Sequence, residues 1–147
     1  MHPELALTVD CRSARAQARF WCRALGYEPS PPPRGWATWE DWLRHFDIPE
    51  DEWDDGAAIG PPPGRPGPQI SFLRVPEPKT VKNRLHLDLR VSGDRHVDGP
   101  VRETRIRAAV VDLVAAGARV LAERPGPAGR LDHVVLADPE GNEFCVV

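Results

Sequence analysis

Leu131-Asp132-His133-Val134-Val135-Leu136-Ala137 runs into Asp138-Pro139-Glu140-Gly141-Asn142 and leaves it through Glu143-Phe144-Cys145-Val146-Val147. Two runs rich in β-branched and apolar residues flank a cluster of Asp, Pro, Gly and Asn, which is the composition of a strand, a turn and a strand. Upstream, Ala118–Ala122 reads as another short strand. Before it, Ile106, Val110 and Leu113 recur at helical spacing, and Gly117 stands where a helix C-terminus is capped. A polar segment, Ser92–Pro100, leads into that helix. Further back, Arg84-Leu85-His86-Leu87-Asp88-Leu89-Arg90-Val91 alternates strictly. Side chains along a strand point to opposite faces with period two. Leu85, Leu87, Leu89 and Val91 are therefore expected on one face, and Arg84, His86, Asp88 and Arg90 on the other.

The first half repeats this order. Leu5–Val9 reads as a strand, and Asp10 and Ser13 are helix-start signals. Ala14, Ala18, Trp21 and Leu25 recur at helical spacing, and Gly26 follows directly. The stretch Tyr27–Pro68 is irregular and holds four of the five tryptophans, Trp36, Trp39, Trp42 and Trp53. The spacing of Trp39, Trp42, Leu43 and Phe46 predicts a short helix. Ala57–Ile59 carries a weak strand signal. Gln69–Val75 alternates as a strand does, and Pro76 ends it. The order strand, helix closed by glycine, further strands thus occurs twice. One domain over 1–147 is expected, with a first module at about 4–75, a linker at 76–83 and a second module at about 84–147. The repeat lies in pattern rather than letters. It predicts an α+β layer, helices on one side of mostly antiparallel sheet.

A chain of 147 residues suffices for one buried core, and 41% hydrophobic with 28% charged residues is a globular composition. The net charge of -3, with no long run of one sign, argues against nucleic acid as the partner. No apolar stretch is long enough to span a bilayer. The N-terminus lacks a basic region followed by a long apolar run, so no secretory leader is expected and a cytoplasmic location follows. Cys11, Cys22 and Cys145, odd in number and widely spaced, read as reduced thiols, and no CxxC exists for a zinc knot. Seventeen prolines, concentrated in 31–33 and 60–68, read as stiff surface loops. Pro31–Pro33 as a polyproline ligand is the sharper alternative. The acidic run Asp51–Asp55 lacks calcium-loop spacing and reads as solvated. Asp138–Gly141 has one glycine and acidic side chains, so it is no phosphate cradle, and no G-x-S-x-G is present.

Four segments together, Val9-Asp10-Cys11, Phe20-Trp21 through Leu25-Gly26-Tyr27, Lys82-Asn83-Arg84-Leu85-His86-Leu87-Asp88, and Asp138-Pro139-Glu140-Gly141-Asn142-Glu143-Phe144-Cys145, resemble a glyoxalase-like branch of the vicinal oxygen chelate superfamily. The resemblance covers nearly the whole chain and is weakest over 27–68. It implies the glyoxalase/bleomycin-resistance/dioxygenase fold, two βαβββ modules in one chain forming a shared U-shaped cup. It also implies a small-molecule ligand, with a divalent metal as candidate cofactor and a homodimer as candidate assembly. The family's metal ligands would fall at His86 on the fifth strand and at or near Glu4 on the first. The fourth-strand position falls near Phe72 or Leu73, neither of them a ligand. The last-strand position, usually glutamate, is Cys145. The ligand set is incomplete.

His86 and Asp88, two apart on one strand face, pair an imidazole with a carboxylate that can orient it for proton transfer. On spacing alone they fit a solvated face better; the resemblance favours His86 inside the cup. Cys145 as a thiolate would be a soft ligand or nucleophile, and as a thiol a small buried hydrophobe, which is the commoner case. Glu143 is balanced between a catalytic carboxylate and a surface residue after a turn. Trp36, Trp39 and Trp42 are balanced between an aromatic wall over a flat ligand and a satellite core under the proline loops. Two functions stand open: a lyase, isomerase or dioxygenase acting on a small oxygenated metabolite with His86, Asp88 and Glu143 as catalytic groups, or a protein that sequesters an antibiotic or metabolite. An accessory domain whose cup is filled by its own side chains is a third.

Overall fold

The computed structural model describes residues 4–94, 96–126 and 129–147. Met1–Pro3, within the segment read for a leader, and Arg95, within the polar segment 92–100, lie outside the described residues. Two compact units divide the chain, Met1–Pro78 and Lys79–Val147.

In the first unit Ser13 is extended and its hydroxyl accepts from the Ala16 N–H, which starts helix α1, Ala14–Leu25. Gly26 ends it in the left-handed region at φ 61°, its N–H donating to the Cys22 carbonyl. Strand β1, Ala6–Cys11, precedes α1; β2, Glu28–Pro29, follows it. Helix α2, Trp39–His45, and a 3-10 turn at Glu50–Glu52 lead to β3, Gly56–Gly60, and β4, Gln69–Arg74. The sheet order is β1-β4-β3-β2, with β1 parallel to β4 and the other pairs antiparallel. The buried side of α1 is Ala14, Gln17, Phe20 and Trp21, facing a core that includes Ile59, Ile70 and Phe72. This corrects the expected stripe, because Ala18 and Leu25 are only half-buried. The deep face runs through Gln17 and Phe20, and apolar letters alone do not show a glutamine inside. Strand β2 has too few residues to carry an alternation.

The second unit runs β5, Leu87–Leu89; α3, Gly99–Ala115; β6, Arg119–Pro125; β7, Leu131–Ala137; and β8, Glu143–Val146. Its sheet order is β5-β8-β7-β6, with β5 parallel to β8 and the rest antiparallel. Both units are therefore βαβββ modules with the same strand order, and the fold is α+β with two four-stranded sheets. One face of the second sheet buries Leu89, Val134, Leu136, Phe144 and Val146, and α3 lies against this sheet with Ile106 and Leu113 buried. Val110 of the expected helical stripe is half-buried.

The strand expected over 84–91 contracts to Leu87–Leu89, and Leu85 is 83% exposed instead of joining the apolar face. Strand β5 is an edge strand with β8 as its neighbour. Pairing stops where β8 stops, and an alternating pattern without a partner does not hold a strand.

The turn between β7 and β8 closes on Asp138. Its carboxylate Oδ1 accepts the N–H groups of Glu140 at 3.0 Å and Asn142 at 2.9 Å, and Oδ2 accepts from Asn142 Nδ2 at 3.1 Å. Gly141 takes φ 89°, a conformation that suits glycine. Among the described residues no helix is long and apolar enough to cross a membrane.

Candidate functional site

Across the parallel pair β5/β8, Asp88 stands opposite Cys145. Period two then brings His86 and Glu143 to that same face, opposite to the one that buries Leu89, Phe144 and Val146. The structure thus groups the four second-unit residues singled out in the sequence. His86 and Asp88 are exposed, Glu143 is half-buried and Cys145 is buried. An exposed imidazole departs from the sheltered position expected for it.

Lys82 organises the group. Its Nζ lies 3.3 Å from His86 Nε2 and 3.5 Å from Glu143 Oε2. An ammonium has donors and no acceptor, so in this contact Lys82 is the donor. Asn83 fixes the carboxylate from the other side: its N–H donates to Glu143 Oε2 at 2.9 Å, and its side-chain amide donates to the Glu143 carbonyl at 3.4 Å. The Asn83 N–H, followed by the charges of Lys82 and Lys79, holds the Glu143 carboxyl below its ordinary range. Lys82 and Asn83 fall in the stretch 76–83 expected as a linker, and the structure places both in the second unit. The signal was present in the stretch Lys82–Asp88, a cation four residues before an imidazole, but its meaning required knowing that β8 returns beside it.

Linkage gives a prediction for Glu143. A carboxyl depressed by folding stabilises the folded unit above the unfolded glutamate pKa, and that contribution disappears as pH falls through the lower folded value. Glu143→Gln should therefore be less stable than wild type near neutrality, with the gap closing under acid. Urea unfolding at a series of pH values measures it; a gap independent of pH would contradict the assignment.

Burial, and then the adjacent Asp88 carboxylate, push the Cys145 thiol upward. It is a protonated thiol rather than a thiolate ligand or nucleophile.

The donors do not fit a metal ion. Among the described residues no group of three or more His, Cys, Asp or Glu side chains could hold one. The two second-unit groups nearest to such a role, His86 and Glu143, are bridged by the Lys82 ammonium, a cation already placed where a metal would join them. Glu4, the other expected ligand, is exposed in the first unit and lines a different cavity.

That first-unit cavity, about 800 Å³ and open, is walled by Glu4, Pro31, Pro33, Pro61 and Trp39 among others. Trp39 is held there by its indole N–H, which donates to the Ser30 carbonyl at 2.9 Å. Trp36 and Trp42 do not line it. Trp36 packs on His45 with ring centroids 4.8 Å apart, and Trp42 on Phe46 at 4.9 Å. Helix α2, which carries Trp39 and Trp42, has no buried residue. Trp39 thus lines a cavity, while Trp36 and Trp42 pack in an aromatic cluster with His45 and Phe46.

Two βαβββ modules, each with its first strand parallel to its last, define the glyoxalase/bleomycin-resistance/dioxygenase class of fold. A family model described as a glyoxalase-like domain matches residues 6–147, and the chain belongs to that family. Solved structures share the fold at low identity. A glyoxalase/bleomycin resistance protein/dioxygenase family enzyme from Burkholderia phytofirmans PsJN is 16% identical, with 96% of this chain and 94% of that chain covered and a TM-score of 0.58. A glyoxalase-related enzyme from Fulvimarina pelagi is 17% identical, covering 99% and 87%, at a TM-score of 0.59. A mutant of the fosfomycin resistance protein FosX from Listeria monocytogenes, complexed with Mn(II) and 1S,2S-dihydroxypropylphosphonic acid, is 11% identical, covering 99% and 90%, at a TM-score of 0.62. No curated protein matches the chain.

Proposed function

We propose that this protein binds a small oxygenated metabolite at the Lys82–His86–Glu143 face of its second unit. The observation that carries the reading is the Lys82 ammonium held 3.3 Å from the His86 imidazole and 3.5 Å from the Glu143 carboxylate on an exposed face. An ammonium so placed meets ligand oxygens bearing negative charge, through charge-assisted hydrogen bonds. The second ring nitrogen of His86 adds a further polar contact for a ligand. Glu143, held ionised, orients Lys82. Burial, reinforced by the Asp88 carboxylate, keeps the Cys145 thiol protonated and unreactive. The fold relationship supports the same reading: the Listeria relative holds a dihydroxylated phosphonic acid. Trp39, with the Trp42 ring 5.7 Å from it, supplies an aromatic surface in the first unit for a flat ligand.

If the site turns its ligand over as a lyase, isomerase or dioxygenase would, His86 is the residue for the proton step. Lys82 moving onto the ligand would release Nε2 to accept a proton. A second reading, sequestration of an antibiotic or metabolite without turnover, is favoured by one observation. The thiol is protonated and the Glu143 carboxylate is occupied by Asn83 and Lys82, so neither is poised to react.

Calorimetric titration of the full chain with a panel of 2-oxo and vicinal dihydroxy acids tests the reading, with product analysis run on the same mixtures. Lys82→Ala should weaken the best ligand about ten-fold, the value of one charge-assisted hydrogen bond. His86→Ala should abolish any product formed. Equal affinity for wild type and Lys82→Ala would rule the site out, and binding without product selects sequestration.

A further inference from the structure

A second site, independent of the Lys82 group, lies in the first unit between α1 and the edge of the sheet at β2 and β3. Strand β3 is Gly56-Ala57-Ala58-Ile59-Gly60, and β2 is two residues long. Small side chains beneath a helix, beside a strand that ends at once, leave space unfilled. The result is a groove of about 580 Å³ with Ala18, Cys22, Ala57 and Ala58 on its apolar floor. That volume lies in the ordinary range for small-molecule sites, roughly 300–1,000 Å³.

Tyr27 forms one wall. Gly67 makes room for its hydroxyl, because a Cβ at that position would run into it, and the Arg65 guanidinium covers its ring at 5.4 Å. Arg65 is itself held by the Leu25 carbonyl at 2.6 Å, so the wall is braced.

The rim is cationic. Arg15, Arg19 and Arg23 follow at intervals of four along α1, and all three line the groove. No acidic residue occurs between Asp10 and Glu28, in a chain whose net charge is -3. Arg15 is paired with Asp54. Arg19 and Arg23 are exposed and have no carboxylate partner among the described residues. Glu28 is the carboxylate close enough to Cys22 to act on its thiol.

We propose that this groove binds a free amphipathic organic anion, an aromatic or aliphatic body carrying a carboxylate, sulfonate or phosphate. The body would lie on the alanine floor against Tyr27, and the anionic end would meet Arg19 and Arg23. Guanidinium groups bind such oxyanions through paired N–H donors, which distinguishes them from a general positive field.

Anilinonaphthalene sulfonate and its uncharged analogue phenylnaphthylamine are the probes, titrated by fluorescence into the full chain. Wild type should bind the sulfonate saturably. Arg19→Glu with Arg23→Glu should weaken the sulfonate about ten-fold or more and leave the uncharged probe within about two-fold. Ala18→Leu, which fills the floor, should weaken both. Circular dichroism of each variant checks that the fold is kept, and Arg19→Lys with Arg23→Lys should lose less than the charge reversal. The proposal is overturned if wild type shows no saturable binding, or if the sulfonate binds the charge-reversed protein as it binds wild type. Saturable sulfonate binding that proves indifferent to Ala18→Leu would also overturn it. Neither Lys82 nor His86 enters these measurements, so failure here leaves the second-unit reading standing, and the reverse.

Discussion

Phe144→Ala is expected to cost the second unit roughly 3–5 kcal/mol, the usual penalty for removing a buried phenyl ring and leaving a cavity. Phe144 is 1% exposed and stands between Leu87 of β5 and Leu136 of β7 in the cross-strand register. It lies on the sheet face that buries Leu89, Val134 and Val146, and α3 packs against that sheet with Ile106 and Leu113 buried. A side chain fixed by neighbours on both strands cannot be replaced by a small backbone shift. The cavity therefore stays open and its cost is not recovered. Because Phe144 is flanked in sequence by Glu143 and Cys145, the substitution also loosens the strand that aligns Glu143 with Lys82. Urea denaturation followed by circular dichroism measures the loss. A change below about 1 kcal/mol would mean that this face is not the core.

Asp138→Ala is expected to cost about 2–4 kcal/mol, because several hydrogen bonds to one carboxylate go at once. Asp138 is 4% exposed, and its oxygens accept from the N–H groups of Glu140 and Asn142 and from the Asn142 side chain. The N–H groups would be left without that acceptor in a turn that must still reverse the chain. Asp138→Asn keeps one oxygen acceptor and should lose less than half as much. The ranking of the two variants in thermal melting is the decisive readout; equal losses would show that the single oxygen acceptor kept by asparagine does not hold the turn. Asp138–Asn142, part of the family resemblance, is shaped for closing a hairpin, and the Asp138 carboxylate serves the fold.

The proposed chemistry is gathered on the second unit from two stretches far apart in sequence. Lys82 and Asn83 precede β5, and Glu143 begins β8, sixty residues later by the Asn83–Glu143 separation. Parallel pairing of the first and last strands of the unit makes them neighbours. The first unit uses the same pairing of β1 with β4. Its corresponding face carries no comparable set of titratable groups on β4, Gln69-Ile70-Ser71-Phe72-Leu73-Arg74, where Arg74 is engaged with Asp55 at 2.9 Å.

Local signals were enough for much of the architecture. Ser13 and Gly26 marked the ends of α1, the alternation over Gln69–Val75 marked β4, and Leu131–Ala137 with its following turn marked β7 and β8. Each is a near-neighbour rule, a cap, a period or a turn composition, and such rules need no knowledge of what packs against them. The doubled order of elements likewise announced an α+β repeat, and the family resemblance gave it as two βαβββ modules. What tertiary structure alone decided were the partners. It shortened the strand at 84–91 to three residues, since β5 pairs only where β8 lies beside it. It sent Leu85 outward, placed Gln17 in the interior, and divided the tryptophans between a cavity wall and a cluster. It also set a lysine from the supposed linker between His86 and Glu143. Spacing along a chain reports which face a side chain takes; only the returning strand determines what that face meets.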